Sequence, residues 1–130
     1  MRNCSCGREK PYLECCHLIH EGTVKAATAE DLMRSRYTAF TLANGDYLMK
    51  SHHPDTRNPK DKMNLEKWAK SVNWIKLEIL NRTNGLEFND RGTVEFKAFY
   101  FENRQIQVIH ENSEFVKENS IWYYVGIVSN

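Results

Sequence analysis

Every cysteine of the chain falls within its first sixteen residues, at positions 4, 6, 15 and 16, and this spacing constrains the fold more than any other feature. The pattern is C-x-C, eight intervening residues, then C-C. Zinc takes four soft or borderline ligands in a tetrahedron, commonly as two close pairs joined by a loop. Cys4 and Cys6 supply one pair across a tight turn. Gly7 follows at once, where a residue tolerant of positive φ lets the backbone curl around a metal. Residues 8–14 return the chain to Cys15 and Cys16, and Arg8 and Lys10 offset the charge of four thiolates against one divalent ion.

Three other readings compete with a structural Zn2+ held by Cys4, Cys6, Cys15 and Cys16. Two disulfides need an oxidising compartment, and a bond between the adjacent Cys15 and Cys16 is strained. Redox chemistry through the C-x-C pair leaves a full second pair unexplained. A ligand set with His17 in place of Cys16 stays open, since His17 and His20 both lie close by. The N-terminus carries no apolar stretch of the kind an export signal needs, and no segment approaches the length of a membrane span. A cytoplasmic location is therefore expected, and reducing compartments favour metal sites over structural disulfides.

Beyond the cysteines, the pattern first has a helical period and then a strand period. Thr28 with Asp31 resembles a capping box, and Leu32, Met33, Phe40 and Ala43 recur at helical spacing up to a stop at Asn44 and Gly45. Asp46 is placed to cap a short second helix over 47–52, ended by Pro54. Residues 54–63 read as a polar loop, and a third helix begins near Asn64 with Leu65, Trp68, Ala69 and Val72 on one side. From Trp74 onward the period becomes two, predicting strands over 74–82, 93–101, 105–117 and 121–128. Residues 102–104 and 118–120 connect the last three as hairpins. Helices followed by consecutive strands give an α+β domain in which an antiparallel sheet curls around the helices. With 130 residues and 12% aromatic content, the chain has material for one such core. Its net charge of +1 gives no global field to attract nucleic acid.

Residues 4–16, Cys-Ser-Cys-Gly-Arg-Glu-Lys-Pro-Tyr-Leu-Glu-Cys-Cys, resemble the SEC-C motif, the zinc knuckle of the bacterial translocation ATPase SecA. The continuation Leu-Met-Arg-Ser-Arg-Tyr-Thr-Ala-Phe over 32–40 is similar to the YchJ-like family of small bacterial proteins, and the resemblance runs through essentially the whole chain. It implies a knuckle over residues 1–22 and a cone-shaped nuclear transport factor 2-like domain over 28–128; by their own composition, residues 17–27 read as a linker. Some members carry a second SEC-C motif at the C-terminus. Residues 127–130 contain no cysteine, so a function needing two knuckles is not expected.

Candidate functional residues lie on the first helix and the sheet. Arg36 falls in the middle of the helix's apolar arc, and a guanidinium there has to meet a carboxylate, carbonyls or an anionic ligand. An internal ion pair with Glu95 or Glu111 is one outcome. A pocket formed with Tyr37, Glu95 and Glu111 that binds an acidic group is the other. Arg34, at the margin of the arc, is expected in solvent. His52 with His53 and Asp55, and His110 with Glu111, are the possible acid–base pairs. Neighbouring strand residues point to opposite faces, which weakens the second pair, and no catalytic residue is assigned. Two functional classes follow. In the first, the knuckle's basic surface (Arg2, Arg8, Lys10) engages a protein partner and the protein acts as an adaptor. In the second, the cone cavity binds a small molecule or serves an enzyme. A homodimer through the sheet is also expected, because residues 96–101 place large side chains on both faces.

Overall fold

The structure is a computed structural model that describes residues 2–128; Met1, Ser129 and Asn130, which enter the expected boundaries of the knuckle and the C-terminus, lie outside the described residues. A 3-10 turn at Tyr12–Glu14 leads into α1 (Cys16–His20), α2 (Ala29–Thr41), α3 (Gly45–Lys50) and α4 (Lys62–Ser71). Four strands follow: β1 (Asn73–Asn84), β2 (Arg91–Glu102), β3 (Gln105–Glu118) and β4 (Ile121–Ile127). They form one four-stranded antiparallel sheet in the order β1-β2-β3-β4. The expected α+β class is what the chain adopts.

The turns explain the meander. Asn103 and Arg104, and again Asn119 and Ser120, all have positive φ between 52° and 67°. That is the backbone of tight hairpin turns whose twist matches the strands. At the β1–β2 connection two glycines meet: a Cβ on Gly92 would lie 2.4 Å from the Cα of Gly85, backbone against backbone. Irregular register between Trp74 and Lys76, and between Ile79 and Asn81, bends β1.

Helix α2 is the centre of the molecule. The Thr28 hydroxyl accepts from the backbone N–H of Asp31 at 3.0 Å, satisfying a donor that the first turn leaves free. Ala29, Leu32, Met33 and Tyr37 pack on Leu77, Val94, Phe96, Phe115 and Trp122 of the sheet, and this is the main core. Ser35, Thr38 and Ala39 are also buried, on sides of the helix that do not face that core. A helix covered on more than one side carries a weak amphipathic pattern.

Three local expectations change. Asn44, not Asp46, caps α3: its side-chain oxygen accepts from Tyr47 N at 3.0 Å, so the helix begins at Gly45. Helix α4 starts two residues before Asn64, directly after a 3-10 turn at Pro59–Asp61. The segment 17–27 is no open linker: it contains most of α1, Ile19 packs against two apolar clusters, and Ala26 is in the main core.

Candidate functional site: metal centre and cavity

The four cysteines converge. Cys4 N–H donates to Lys10 O and Gly7 N–H to Cys4 O, closing the first turn, and Cys15 N–H donates to Tyr12 O, closing the second. Gly7 sits at φ 99°, a conformation that strains any residue with a side chain, and Arg34 Nη1 lies 3.2 Å from where a Cβ would be, a tight contact. One ligand atom from each of Cys4, Cys6, Cys15 and Cys16 lies within 4.8 Å of the others, and all four residues are buried. A tetrahedral zinc site with bonds of about 2.3 Å puts sulfurs roughly 3.8 Å apart. The Cys6 and Cys15 sulfurs are 3.6 Å apart, far from a disulfide, and all four cysteines are free.

The electrostatics of the donor set fit a cation. Hydrogen bonds from Cys16 and then Cys6 hold Cys4 far below the usual thiol range. For Cys6 the hydrogen bond with Cys16 acts downward, but the Cys4 sulfur and burial overcome it and push the thiol up to about 11. Cys16 is driven upward by its bonds to Cys4 and Cys6 and by burial. Successive ionisations therefore oppose one another, and four thiolates in so small a volume need a multivalent cation between them. Among the described residues the group contains no histidine. His17 instead packs its ring on Tyr12 at 5.3 Å. His20 bonds Tyr12 Oη through Nδ1 and Ser35 O through Nε2, each at 2.8 Å, and burial lowers its pKa.

The knuckle is fastened to α2 by ion pairs that the sequence pattern did not anticipate. Arg34 is not in solvent: it pairs with Glu30 at 2.7 Å and donates to the carbonyl of Cys6. Arg8 pairs with Asp31, and Arg82 on β1 reaches Glu30 from the other side. Burial raises the Glu30 pKa, but the hydrogen bonds from Arg34 and Arg82 outweigh it and hold the carboxyl below its ordinary range. The Glu30–Arg34 spacing of four was the available signal.

A second site lies between α2, α4 and the inner face of the sheet, as a cavity of about 350 Å³. Trp68 and Trp74 meet edge to face at 5.3 Å in its wall, with Phe40 and Phe96 nearby. Arg36 is buried in it. Its Nη1 donates to Leu48 O at 2.9 Å and Ser51 Oγ at 2.7 Å, and its guanidinium carbon stands 4.4 Å from the centre of the Tyr124 ring. Burial lowers its pKa from 12.5 to about 10, so it stays charged at neutral pH.

The four residues expected to form a pocket divide. Arg36, Tyr37 and Glu111 line the cavity. Glu95 does not: in the β2 alternation it follows Val94 and precedes Phe96, both inward, so it faces outward and bonds His110 at 2.7 Å. Among the described residues Arg36 is in no ion pair with Glu95 or Glu111, so the internal-pair expectation is corrected to carbonyl, hydroxyl and ring contacts. Burial raises the Glu111 pKa. Ser113, two residues on, was not anticipated; its Oγ is buried without a hydrogen-bond partner and lines the same cavity. The i, i+2 spacing from Glu111 was the signal for it. His53 is buried at the rim of the sheet, where Nδ1 accepts from Asp55 N and Nε2 bonds Glu118 at 3.0 Å. His52 lines the cavity, and burial, then Arg36 and Arg57, lower its pKa to about 4.

An antiparallel sheet closed over helices around an aromatic cavity, with a four-cysteine cluster docked on the first long helix, defines an α+β protein of the nuclear transport factor 2-like class with a SEC-C-type N-terminus. The family model described as "YchJ, middle NTF2-like domain" matches residues 28–126, and the chain belongs to that family. It is 38% identical over 125 residues to a UPF0225 protein of Vibrio parahaemolyticus, covering 95% of this chain and 72% of that one. With a UPF0225 protein of Streptomyces coelicolor it shares 40% over 121 residues, covering 93% and 90%. Its structure is similar to the solution structure of a SEC-C motif containing protein from Rhodopseudomonas palustris (TM-score 0.88, 33% identity, 99% of each chain). It is also similar to the crystal structure of a SEC-C motif containing protein from Psychrobacter arcticus (TM-score 0.79, 30% identity, 100% of this chain and 85% of the other). Among the described residues no helix is long and apolar enough to cross a membrane.

Proposed function

We propose that the chain is a zinc-stapled small-molecule-binding protein: one Zn2+ on Cys4, Cys6, Cys15 and Cys16 fastens the N-terminal knuckle to α2, and the cone cavity binds the ligand. Four sulfurs fill the coordination shell, so the ion has no open position for a substrate and its role is structural. The observation that carries the binding half is Arg36, a buried cation lining an aromatic cavity with no carboxylate paired to it among the described residues. Cavities of this size and lining are the usual form of small-molecule sites. The supporting result is a metabolite that raises the thermal midpoint of the zinc-loaded protein and perturbs Trp68 and Trp74. A library that does neither counts against it. Four thiols reserved for a metal fit a reducing compartment, in keeping with a cytoplasmic location.

A protein-partner reading draws on Leu13, which is 61% exposed on the knuckle loop, and on Lys10 and Arg2, which are exposed in the same N-terminal segment. Part of the basic surface expected for it is committed elsewhere, since Arg8 is spent on Asp31. Its test is capture of a partner by the native chain that Cys15→Ser abolishes. The expected sheet-mediated dimer draws on Phe101, Ile106 and Val108, exposed on the outer face, and is tested by sedimentation equilibrium.

A further inference from the structure

Resting on the cavity reading above, the geometry points to a small planar monocarboxylate as ligand, its carboxylate on Arg36 and a hydrogen-bond donor at its far end between Glu111 and Ser113. Arg36 is the one Arg or Lys among the residues that line the cavity. The lining imidazole, His52, stays neutral near pH 7 because burial holds its pKa near 4. Asp61 and Glu111 also line the cavity, so Arg36 offers the one place where a negative charge is attracted, and a doubly charged group such as a phosphate ester meets more repulsion from those acidic side chains than a monocarboxylate does.

Arg36 also fixes orientation. Its Nη1 is occupied by Leu48 O and Ser51 Oγ, and one face rests on Tyr124. Among the described residues Nε and Nη2 have no acceptor. Those two N–H groups form the fork that receives a carboxylate through two parallel hydrogen bonds. A second polar group on the wall is set by strand alternation: Ile109, Glu111 and Ser113 share one face of β3, opposite Ala98, Phe96 and Val94 of β2. Ser113 Oγ is the buried side-chain polar atom that finds no partner among the described residues. Such a group normally has a partner, and a ligand hydroxyl or amide reaching Glu111 would also meet it. Trp68, Trp74, Phe40 and Phe96 in the same lining give flat apolar walls suited to a ring.

The test uses the zinc-loaded full chain with 4-hydroxybenzoate, benzoate and the neutral isostere 4-hydroxybenzamide, followed through the tryptophan indole N–H resonances. Trp122 is the internal control, because its Nε1 donates to Ala27 O at 3.2 Å and it is absent from the cavity wall. The expected result is that 4-hydroxybenzoate shifts Trp68 and Trp74 but not Trp122. It should bind at least tenfold more tightly than the amide, with benzoate between them, and Arg36→Met should erase the preference. Ser113→Ala should weaken 4-hydroxybenzoate more than benzoate. The probe comparison on the unaltered chain decides the matter even where a variant folds poorly. If the amide binds as well as the carboxylate, the ligand class is overturned while the cavity reading stands. If all three probes and neutral 2-naphthol leave Trp68 and Trp74 unmoved, both are overturned.

Discussion

Replacing Arg36 by methionine should cost the fold little or nothing, an unusual outcome for a buried charge. A cation in an internal ion pair leaves an uncompensated carboxylate when it is removed, at a cost of about 3–5 kcal/mol. Arg36 has no such partner among the described residues. Its pKa falls from 12.5 to about 10 because burial disfavours the charged form. At 1.36 kcal/mol per pKa unit, that amounts to a penalty of about 3 kcal/mol carried by the folded protein. Methionine removes the penalty. It also gives up the hydrogen bonds to Leu48 O and Ser51 Oγ, worth about 1–3 kcal/mol in all where the acceptors keep other donors. Ser51 Oγ still donates to Tyr47 O at 2.7 Å and points toward Leu48 O at 3.5 Å. The two contributions nearly cancel, and Arg36→Met should fall within about 2 kcal/mol of the parent chain. Urea unfolding of zinc-saturated protein, read by tryptophan fluorescence with equal m-values, measures it. A loss above about 4 kcal/mol would show that a carboxylate compensates the guanidinium, and the account of an unpaired cation would be wrong.

Cys16→Ser should abolish stoichiometric zinc and lower the calorimetric midpoint by at least about 5 °C; an unchanged midpoint would mean the knuckle docks without metal. Gly92→Ala should destabilise by more than about 2 kcal/mol, since its Cβ would meet the Gly85 backbone, whereas Gly126→Ala, with nothing within 4 Å, should cost about 0.5 kcal/mol or less. For His52 the folded-state pKa near 4 lies below the unfolded value near 6.5, so the unfolded chain binds more protons across that window and stability falls as pH is lowered through it. His52→Gln should flatten that part of the pH profile relative to the parent, measured as urea midpoints at pH 7 and pH 5.

The legible parts of the fold were those set by local chemistry. Thr28 and Asp31 marked the start of α2, and paired turn residues marked the hairpins. Period-two alternation separated inward Glu111 from outward His110. The cysteine spacing singled out the metal centre because ligand chemistry demands convergence whatever the surrounding fold. What stayed hidden depended on packing between distant segments. Arg34 reads as a surface residue until the knuckle folds back and offers the Cys6 carbonyl. Glu95 and Glu111 looked equivalent as partners for Arg36, although strand parity relative to Val94 and Phe96 already separates them. Ser113 gave no polar signal of its own, because an orphaned hydroxyl is visible only once its neighbours are placed. The segment after Cys16 looked like a linker because five residues of helix carry too short a period to recognise.

Native mass spectrometry of the reduced protein, before and after chelation, bears most directly on the whole account. One zinc per chain is expected, with chelation releasing it and the backbone amide signals of residues 4–20 losing their dispersion in a parallel NMR spectrum. A reduced chain that carries no metal yet keeps its knuckle ordered against α2 would contradict the claim that an ion draws the four sulfurs together.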